Sequence, residues 1–226
     1  MSSTDRYQPP RRGILGLLGG AFIAGQVPPA AAGSLDRIDF EGTAVGALPA
    51  GMTTALTGGG GAVRWSVVED STAPAGSKVL AQTSTDRTDY RFPLAIFDAP
   101  VVADATVTVS FKAMAGAIDR AAGIALRLRD ANNYYVVRAN ALEDNVRLYR
   151  VVAGKRVQFA GADVKVPSGT WHRLGLDARG NRFEVSFNGK SLFSATDPTF
   201  AAAGRIALWT KADSVTRFDD MTIISP

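Results

Sequence analysis

Arginine and tyrosine side chains recur at alternate positions in the central part of the chain. Arg127 lies between two leucines, and Arg147 and Tyr149 flank a third, Leu148. This period of two is typical of a β-strand with one apolar and one polar face. We therefore expect Arg127, Arg147 and Tyr149 to point away from the core on two neighbouring strands.

Three more residues extend this polar set, because Arg138 is in phase with Tyr134, and Trp209 and Lys211 follow near the C-terminus. Aromatic rings can pack on the apolar faces of sugars, and guanidinium groups bind hydroxyl and carboxylate oxygens. The alternative is that these side chains only cover a solvated sheet face. The candidate ligand-binding residues are Arg127, Arg138, Arg147, Tyr149, Trp209 and Lys211.

His172 is the only histidine, and the chain has no cysteine. Composition therefore excludes metal sites built on several histidines, cysteine nucleophiles and disulfides. A Ser-His-Asp arrangement would have to use His172. Because His172 follows Trp171 at the start of a predicted strand, we predict a structural role for it.

The elements that must position these residues are β-strands. Apolar residues alternate with polar ones around residues 107–111, 124–128, 146–149 and 183–187, and Asn188-Gly189 is a strong hairpin turn. The segment 42–62, with four consecutive glycines, is expected to be a long loop. No stretch favours a helix, so the sequence predicts an all-β, two-sheet antiparallel sandwich of the jelly-roll type.

The first 32 residues have the pattern of a cleaved signal peptide. Arg6, Arg11 and Arg12 precede an apolar stretch that is too short for a bilayer span of roughly 20 residues, and Ala30 to Ala32 fit a signal peptidase site. The arginine pair also resembles a twin-arginine signal, so both export routes remain open. We expect one domain, residues 33–226, in the periplasm or outside the cell.

The remaining composition limits the partners. The formal net charge of +4 includes three arginines and one aspartate of the leader, so the rest of the chain is closer to neutral. No run of basic residues follows the leader, which argues against a nucleic-acid partner. No second apolar run is long enough to cross a membrane.

Several segments of the chain resemble concanavalin A-like lectin and glucanase domains. They resemble in particular the bacterial 3-keto-disaccharide hydrolase domain, also described as family-16-like glycoside hydrolase. The segments are Asn132-Asn133-Tyr134-Tyr135-Val136-Val137-Arg138, Thr170-Trp171-His172-Arg173-Leu174, Phe187-Asn188-Gly189-Lys190, Ala203-Gly204-Arg205-Ile206-Ala207-Leu208-Trp209-Thr210 and Phe218-Asp219-Asp220-Met221.

The resemblance implies two curved sheets with any ligand on the concave face. Glucanase relatives carry a Glu-x-Asp-x-x-Glu strand, whose period places the carboxylates on one face, and this motif is missing here. Glu143 and Asp144 are adjacent and instead mark a turn. Elimination on a 3-keto sugar, which one base can initiate, remains open without an identified base.

The resemblance also suggests a structural calcium ion, because such modules often pair their first and last strands around one. Glu41 and Asp219 are the candidate side-chain ligands, since calcium prefers hard oxygen ligands. The alternative is a pair of acidic strand ends without metal. No other cofactor is expected.

Three functions are therefore compatible with the sequence. The first is an exported domain that binds a carbohydrate or glycoside on its concave face. The second is a 3-keto-glycoside hydrolase or lyase, and the third is a structural or adhesion module without a small ligand. Neither the saccharide nor the oligomeric state follows from the sequence.

Overall fold

A computed structural model describes residues 33–226, and it confirms the all-β prediction over that range. The predicted signal peptide lies outside the described residues. The strands in the described part are β1 (Ser34–Ile38), β2 (Met52–Gly58), β3 (Trp65–Glu69), β4 (Lys78–Gln82), β5 (Arg91–Phe97), β6 (Ala105–Ala115), β7 (Ala121–Asp130), β8 (Asn133–Asn140), β9 (Asn145–Val152), β10 (Lys155–Asp163), β11 (Trp171–Arg179), β12 (Arg182–Phe187), β13 (Lys190–Thr196), β14 (Arg205–Trp209) and β15 (Val215–Ser225).

The strands form two antiparallel sheets. One sheet has the order β13-β12-β11-β6-β15-β4-β3, with β1 also paired to β15, and the other has the order β10-β9-β8-β7-β14-β5-β2. Neighbouring strands are often distant in sequence, as in a jelly roll, and this confirms the predicted fold class. β1 and β15, the first and last strands described, pair from Ser34↔Ser225 to Ile38↔Met221.

The inner face of each sheet follows the predicted alternation. In β6, Val107, Val109 and Phe111 are fully buried between the sheets, whereas Thr106 and Thr108 point outward and are partly exposed. The turn at Asn188-Gly189 also forms as predicted, with φ values of 50° and 76° that favour these residue types.

The expectation that Arg127 points outward is wrong, because β7 contains an irregularity at this residue. Arg127 has a φ of 51°, and the pairing of β7 with β8 shifts between Leu126 and Asp130. Such a bulge reverses the alternation of the residues that follow it. Leu126 consequently packs between the sheets, Leu128 packs on the opposite side, and the Arg127 side chain turns inward.

Arg127 therefore belongs to the packing of the sandwich. Its guanidinium donates hydrogen bonds to the carbonyl oxygens of Ala103 (2.7 Å), Phe200 (2.6 Å) and Gly180 (2.6 Å). It also lies 5.4 Å from the ring centroid of Phe183. The side chain is almost completely buried, so it is unavailable to a ligand on the sheet surface.

The segment expected to be a long loop contains a strand. β2 pairs with β5 along its whole length, from Met52↔Phe97 to Gly58↔Arg91. The sequence of β2 has few apolar residues, because this edge strand buries only Met52 and Thr57.

The central strands of the seven-stranded sheet are buried on both faces. A second apolar cluster lies on the face that points away from the eight-stranded sheet, and we call this face the outer face. Its cluster consists of Phe92, Leu94, Ile96, Ala121, Ala125, Leu128, Tyr134, Val136, Tyr149, Val151, Ala207 and Trp209. No helix long and apolar enough to span a membrane is found in residues 33–226.

Candidate functional site

Four aromatic rings from separate strands form the floor of the outer face. Phe92 of β5 stacks on Trp209 of β14 with ring centroids 5.2 Å apart. The indole Nε1 of Trp209 donates to the hydroxyl of Tyr134 at 3.2 Å, and Tyr149 lies farther along the same face. Burial raises the pKa of Tyr134 to about 12, so its hydroxyl stays neutral.

The side chain of Arg156 in β10 lies across this aromatic floor. Its guanidinium carbon is 4.5 Å from the ring centroid of Tyr149, 4.7 Å from that of Phe92 and 5.7 Å from that of Trp209. A cation over aromatic faces is attracted by the ring quadrupoles. No acidic side chain of residues 33–226 forms an ion pair with Arg156.

A row of alternating charges crosses the same sheet next to the aromatic floor. The Lys211 ammonium lies 2.5 Å from a carboxylate oxygen of Asp89 and 3.0 Å from Oδ2 of Asp119. The Arg138 guanidinium lies 3.9 Å from Oδ2 of Asp119 and 2.7 Å from a carboxylate oxygen of Glu143. Lys211 follows β14, Asp119 precedes β7 and Glu143 precedes β9, so the row joins several strand ends.

Asp119 is the most deeply buried carboxylate of this row. Its side chain is almost completely buried, and burial raises the pKa of its carboxyl although the positive charges of Arg138 and Lys211 act in the opposite direction. Burial also disfavours the charge on Lys211, but its contacts with Asp89 and Asp119 outweigh this and raise its pKa.

Asp213 positions the loop that carries Asp119. Its carboxylate accepts hydrogen bonds from the backbone N–H groups of Ala117 (2.8 Å), Ile118 (3.0 Å) and Asp119 (3.0 Å). Asn140 of β8 also donates to Oδ1 of Asp119 at 2.9 Å. Backbone and side chain of Asp119 are therefore held from two sides.

Three buried polar atoms at this site have no hydrogen-bond partner among the described residues. They are Oδ2 of Asp119, Nε of Arg138 and Nη1 of Arg156. Asp119 Oδ2 nevertheless lies 3.0 Å from the Lys211 ammonium, which compensates its charge. Buried polar atoms are nearly always hydrogen-bonded, and each exception requires an explanation.

An open cavity of about 490 Å³ lies at the end of the charged row, lined in part by Glu143 and Asp163. Asp163 pairs with Arg147 at 2.5 Å. The carboxylates that bind Arg138 and Arg147 thus form two sides of one cavity, which provides a route from solvent toward the outer face.

The structure brings together five of the six residues predicted to bind a ligand. Arg138, Arg147 and Tyr149 lie on the outer face of β8 and β9, Trp209 lies on β14 and Lys211 directly follows β14. Arg127 is the exception. In the strand register Arg138 is paired with Arg147, so the two arginines are cross-strand neighbours.

Sequence reasoning missed Arg156 and Asp119. Arg156 lies in a strand whose side chains are mostly exposed, and its folding back over three rings leaves no periodic signal. Asp119 lies in the connection between β6 and β7, where no pattern marks it.

Glu41 and Asp219, the candidate calcium ligands, both contact the segment before β4. Oε1 of Glu41 accepts hydrogen bonds from the N–H groups of Ser77 and Lys78, and Oδ2 of Asp219 accepts one from Ala75. The buried Oδ1 of Asp219 has no partner in the described part of the chain. Oδ1 of Asp219 would suit a cation. Oε1 of Glu41, in contrast, already accepts hydrogen bonds from two backbone N–H groups.

A metal at this position would depend on backbone carbonyl oxygens. No group of three or more histidine, cysteine, aspartate or glutamate side chains that could hold a metal is found in residues 33–226. Calcium at Glu41 and Asp219 therefore stays a prediction.

His172 has the contacts of a structural residue. One ring nitrogen lies 3.0 Å from the carbonyl oxygen of Pro167, and the other lies 3.2 Å from the side-chain nitrogen of Asn188. The ring stacks on Phe187 with centroids 5.1 Å apart. These contacts join β11 to the hairpin that follows β12.

Comparisons with known proteins agree with the fold. A family model described as a 3-keto-alpha-glucoside-1,2-lyase-like domain matches residues 58–224. None of the curated proteins compared with the chain matches it.

Solved structures share the fold at low sequence identity. The carbohydrate-binding module CBM66 from Bacillus subtilis is 20% identical, with 77% of this chain and 96% of that chain covered and a TM-score of 0.62. A protein of unknown function from Shewanella oneidensis is 16% identical, with 87% of each chain covered and a TM-score of 0.55. A GH16 protein from a Bacteroides ovatus mixed-linkage glucan locus is 12% identical, with 71% and 84% covered and a TM-score of 0.51. At these identities the likeness concerns the fold.

Proposed function

This chain belongs to the 3-keto-alpha-glucoside-1,2-lyase-like domain family, and from that membership we propose that it is an exported domain that binds a saccharide on the outer face of its seven-stranded sheet. We identify the outer face with the concave face that the sequence resemblance implies. No second sheet of residues 33–226 covers the outer face, yet its aromatic rings are buried. Water is excluded from these rings by the curvature of the sheet and by overlying side chains. Export follows from the predicted leader.

Nε of Arg138 and Nη1 of Arg156 carry this proposal, because both atoms are buried without a hydrogen-bond partner among residues 33–226 and both guanidinium groups lie over the aromatic floor. A sugar offers the two complementary kinds of surface, since its hydroxyl groups donate and accept hydrogen bonds and its C–H faces pack on aromatic rings. A single saccharide would therefore serve both parts of the site. Its hydroxyl groups would hydrogen-bond the buried polar atoms, and its C–H face would pack on the aromatic rings.

Arg156 is the movable part of the site in this proposal. No carboxylate of the described residues 33–226 pairs with its guanidinium, which is held by cation–π contacts of about 0.5–2 kcal/mol each. When a saccharide enters beside Arg147, Arg156 swings away from the rings and hydrogen-bonds the ligand. The sugar then packs on Tyr149 and reaches Arg138.

Binding tests this function directly. We would screen the domain of residues 33–226 against a panel of oligosaccharides by thermal shift, because a ligand of the native state raises the melting temperature. The dissociation constant of the best saccharide would then be measured for Arg147→Ala, Tyr149→Ala and Arg156→Gln. Each variant should bind at least about tenfold more weakly, which corresponds to about 1.4 kcal/mol.

Arg182→Ala is the matched control, because Arg182 is an exposed arginine of the eight-stranded sheet with a weak contact to Glu184 at 3.9 Å. It should bind like the wild type. Wild-type affinity in all three outer-face variants would place the saccharide elsewhere and refute the proposal.

We also propose a second function at the same site, elimination on a 3-keto glycoside, which the pairing of Asp119 with Lys211 favours. The 3-ketone acidifies the C2–H bond, and a carboxylate whose pKa is raised by burial is a stronger base than an exposed one. Asp119 would take the C2 proton, and its C–H electrons would form the C1=C2 double bond. The C1–O bond breaks, and the leaving oxygen takes a proton from Lys211.

Product analysis distinguishes catalysis from binding alone. The domain would be incubated with a 3-keto-disaccharide, and the released sugar and the unsaturated ketone, which absorbs in the ultraviolet, would be measured. Activity that is abolished in Asp119→Asn would support elimination. A domain that binds the 3-keto sugar and leaves it intact would refute it and leave the binding function standing.

A further inference from the structure

A second, basic cavity lies between two connections that link the sheets. It has a volume of about 410 Å³ and is formed by two connections, residues 61–64 between β2 and β3 and residues 84–87 between β4 and β5. The size falls within the range of small-molecule sites, about 300–1,000 Å³. We call it the basic cavity because Arg64 and Arg87 lie in its wall.

Buried residues fix both walls of the basic cavity. The guanidinium of Arg91, which is fully buried, donates to the carbonyl oxygens of Gly61 and Ala62 on one wall and to Oγ of Ser84 on the other. Gln82 binds the backbone of Ser84 through both ends of its amide. The cavity is therefore formed before any ligand arrives, which lowers the free-energy cost of binding.

The charge of the basic cavity is positive. Neither Arg64 nor Arg87 forms an ion pair within residues 33–226. The carboxylate of Asp86 also lines the cavity, but it accepts hydrogen bonds from the N–H groups of Gly61 and Thr88. These bonds lower the pKa of Asp86 to about 2, and its charge is directed at the backbone amides.

The basic cavity and the outer face share their framework. Arg91, which braces the cavity, also donates to the carbonyl oxygen of Ala212, the residue after Lys211. The connection that carries Arg87 continues to Asp89, which forms an ion pair with Lys211. The Arg91 guanidinium and the Asp89–Lys211 ion pair thus join the cavity to the connection that carries Lys211, which places the cavity beside the Lys211 end of the charged row.

We propose that the basic cavity binds the carboxylate of an acidic sugar residue in a saccharide that extends from the outer face. The planar guanidinium groups of Arg64 and Arg87 suit a carboxylate, which can accept paired hydrogen bonds from one arginine. The acidic group is inferred from the cavity alone, whereas the sugar to which it belongs rests on the proposed function of the outer face.

Two sugars that differ only in the acidic group test this inference. Methyl β-D-glucuronide and methyl β-D-glucoside would be titrated into the isotope-labelled domain of residues 33–226, with backbone amide shifts as the readout. The glucuronide should shift the amides of residues 61–64 and 84–87 in a saturable way, and the glucoside should leave them unchanged. Sodium sulfate at equal ionic strength is the control for binding of any anion.

Variants separate the basic cavity from the outer face. The double variant Arg64→Gln/Arg87→Gln should weaken glucuronide binding at least about tenfold, and Arg182→Gln should leave it unchanged. Arg147→Ala should retain glucuronide binding here even where it loses the saccharide of the outer face, so the two proposals fail separately. Equal shifts with the glucoside, equal saturation with sulfate, or unchanged affinity in the double variant would each overturn the inference.

Discussion

Replacement of Arg127 and Arg147 by alanine should have opposite consequences, although both arginines follow the same pattern in the sequence. Arg127 is buried at the edge of the sandwich and donates to three backbone carbonyl oxygens. Arg147 lies on the outer face and pairs only with Asp163, whose side chain is 84% exposed. Arg127→Ala should therefore damage the fold, and Arg147→Ala should affect only ligand binding.

The magnitudes follow from the contacts. A hydrogen bond from a charged group contributes about 1.5–3 kcal/mol, and a buried acceptor left without its donor costs about 1–3 kcal/mol. Because the three carbonyl groups share one guanidinium, their losses are not additive. We expect Arg127→Ala to lower the free energy of unfolding by about 3–5 kcal/mol, as for other broken buried charge networks. An exposed ion pair such as Arg147–Asp163 contributes about 0–1 kcal/mol.

Urea unfolding followed by tryptophan fluorescence measures both values, with the free energy extrapolated linearly to zero denaturant. A domain of this kind has about 5–15 kcal/mol in total, so the loss in Arg127→Ala would be a large part of it. The inward orientation of Arg127 is wrong if Arg127→Ala loses less than about 1 kcal/mol of unfolding free energy. It is also wrong if Arg147→Ala loses more than Arg127→Ala.

Four other predictions have specific outcomes. Burial raises the pKa of Asp219 from 3.8 to about 6. The native state therefore binds the carboxyl proton more tightly than the unfolded chain does. As a result, the free energy of unfolding falls as the pH rises from about 4 to 6. In calcium-free buffer Asp219→Asn should melt above the wild type at pH 7 and approach it at pH 4; a difference that does not depend on pH would contradict this. If calcium binds at Glu41 and Asp219, added calcium should raise the melting temperature of the wild type only, and chelator should reverse the effect. Asp213→Ala should free the loop that carries Asp119, seen as faster amide exchange in residues 116–120 and weaker saccharide binding, and unchanged exchange would argue against the positioning role. Intact mass of the exported protein should place the N-terminus at Gly33, and a retained leader would disprove cleavage.

The strands that bury one face could be read directly from the sequence. β12 alternates throughout and β6 alternates from Ala105 to Ala113, and the apolar residues of these stretches pack between the sheets. The prediction failed in β7, because a single residue in a left-handed conformation at Arg127 reverses the alternation behind it. No sequence period reveals where such a residue is inserted.

The candidate site was predicted less completely, for a different reason. Arg138, Arg147 and Tyr149 were found because they lie in phase on regular strands. Arg156 and Asp119 are placed by tertiary contacts. Arg156 lies over aromatic rings of three other strands, and the backbone of Asp119 is held by Asp213, which is distant in the sequence. Local patterns carry no information about such contacts.

β8, which carries Arg138, is an interior strand of the seven-stranded sheet. All residues of β8 except the first are buried. Amide hydrogens of a strand enclosed in this way exchange with solvent only when the whole domain unfolds. An incoming ligand therefore meets groups whose motional freedom was already lost when the chain folded. Binding at β8 therefore costs conformational entropy only in the ligand and in the few side chains, such as Arg156, that move to admit the ligand.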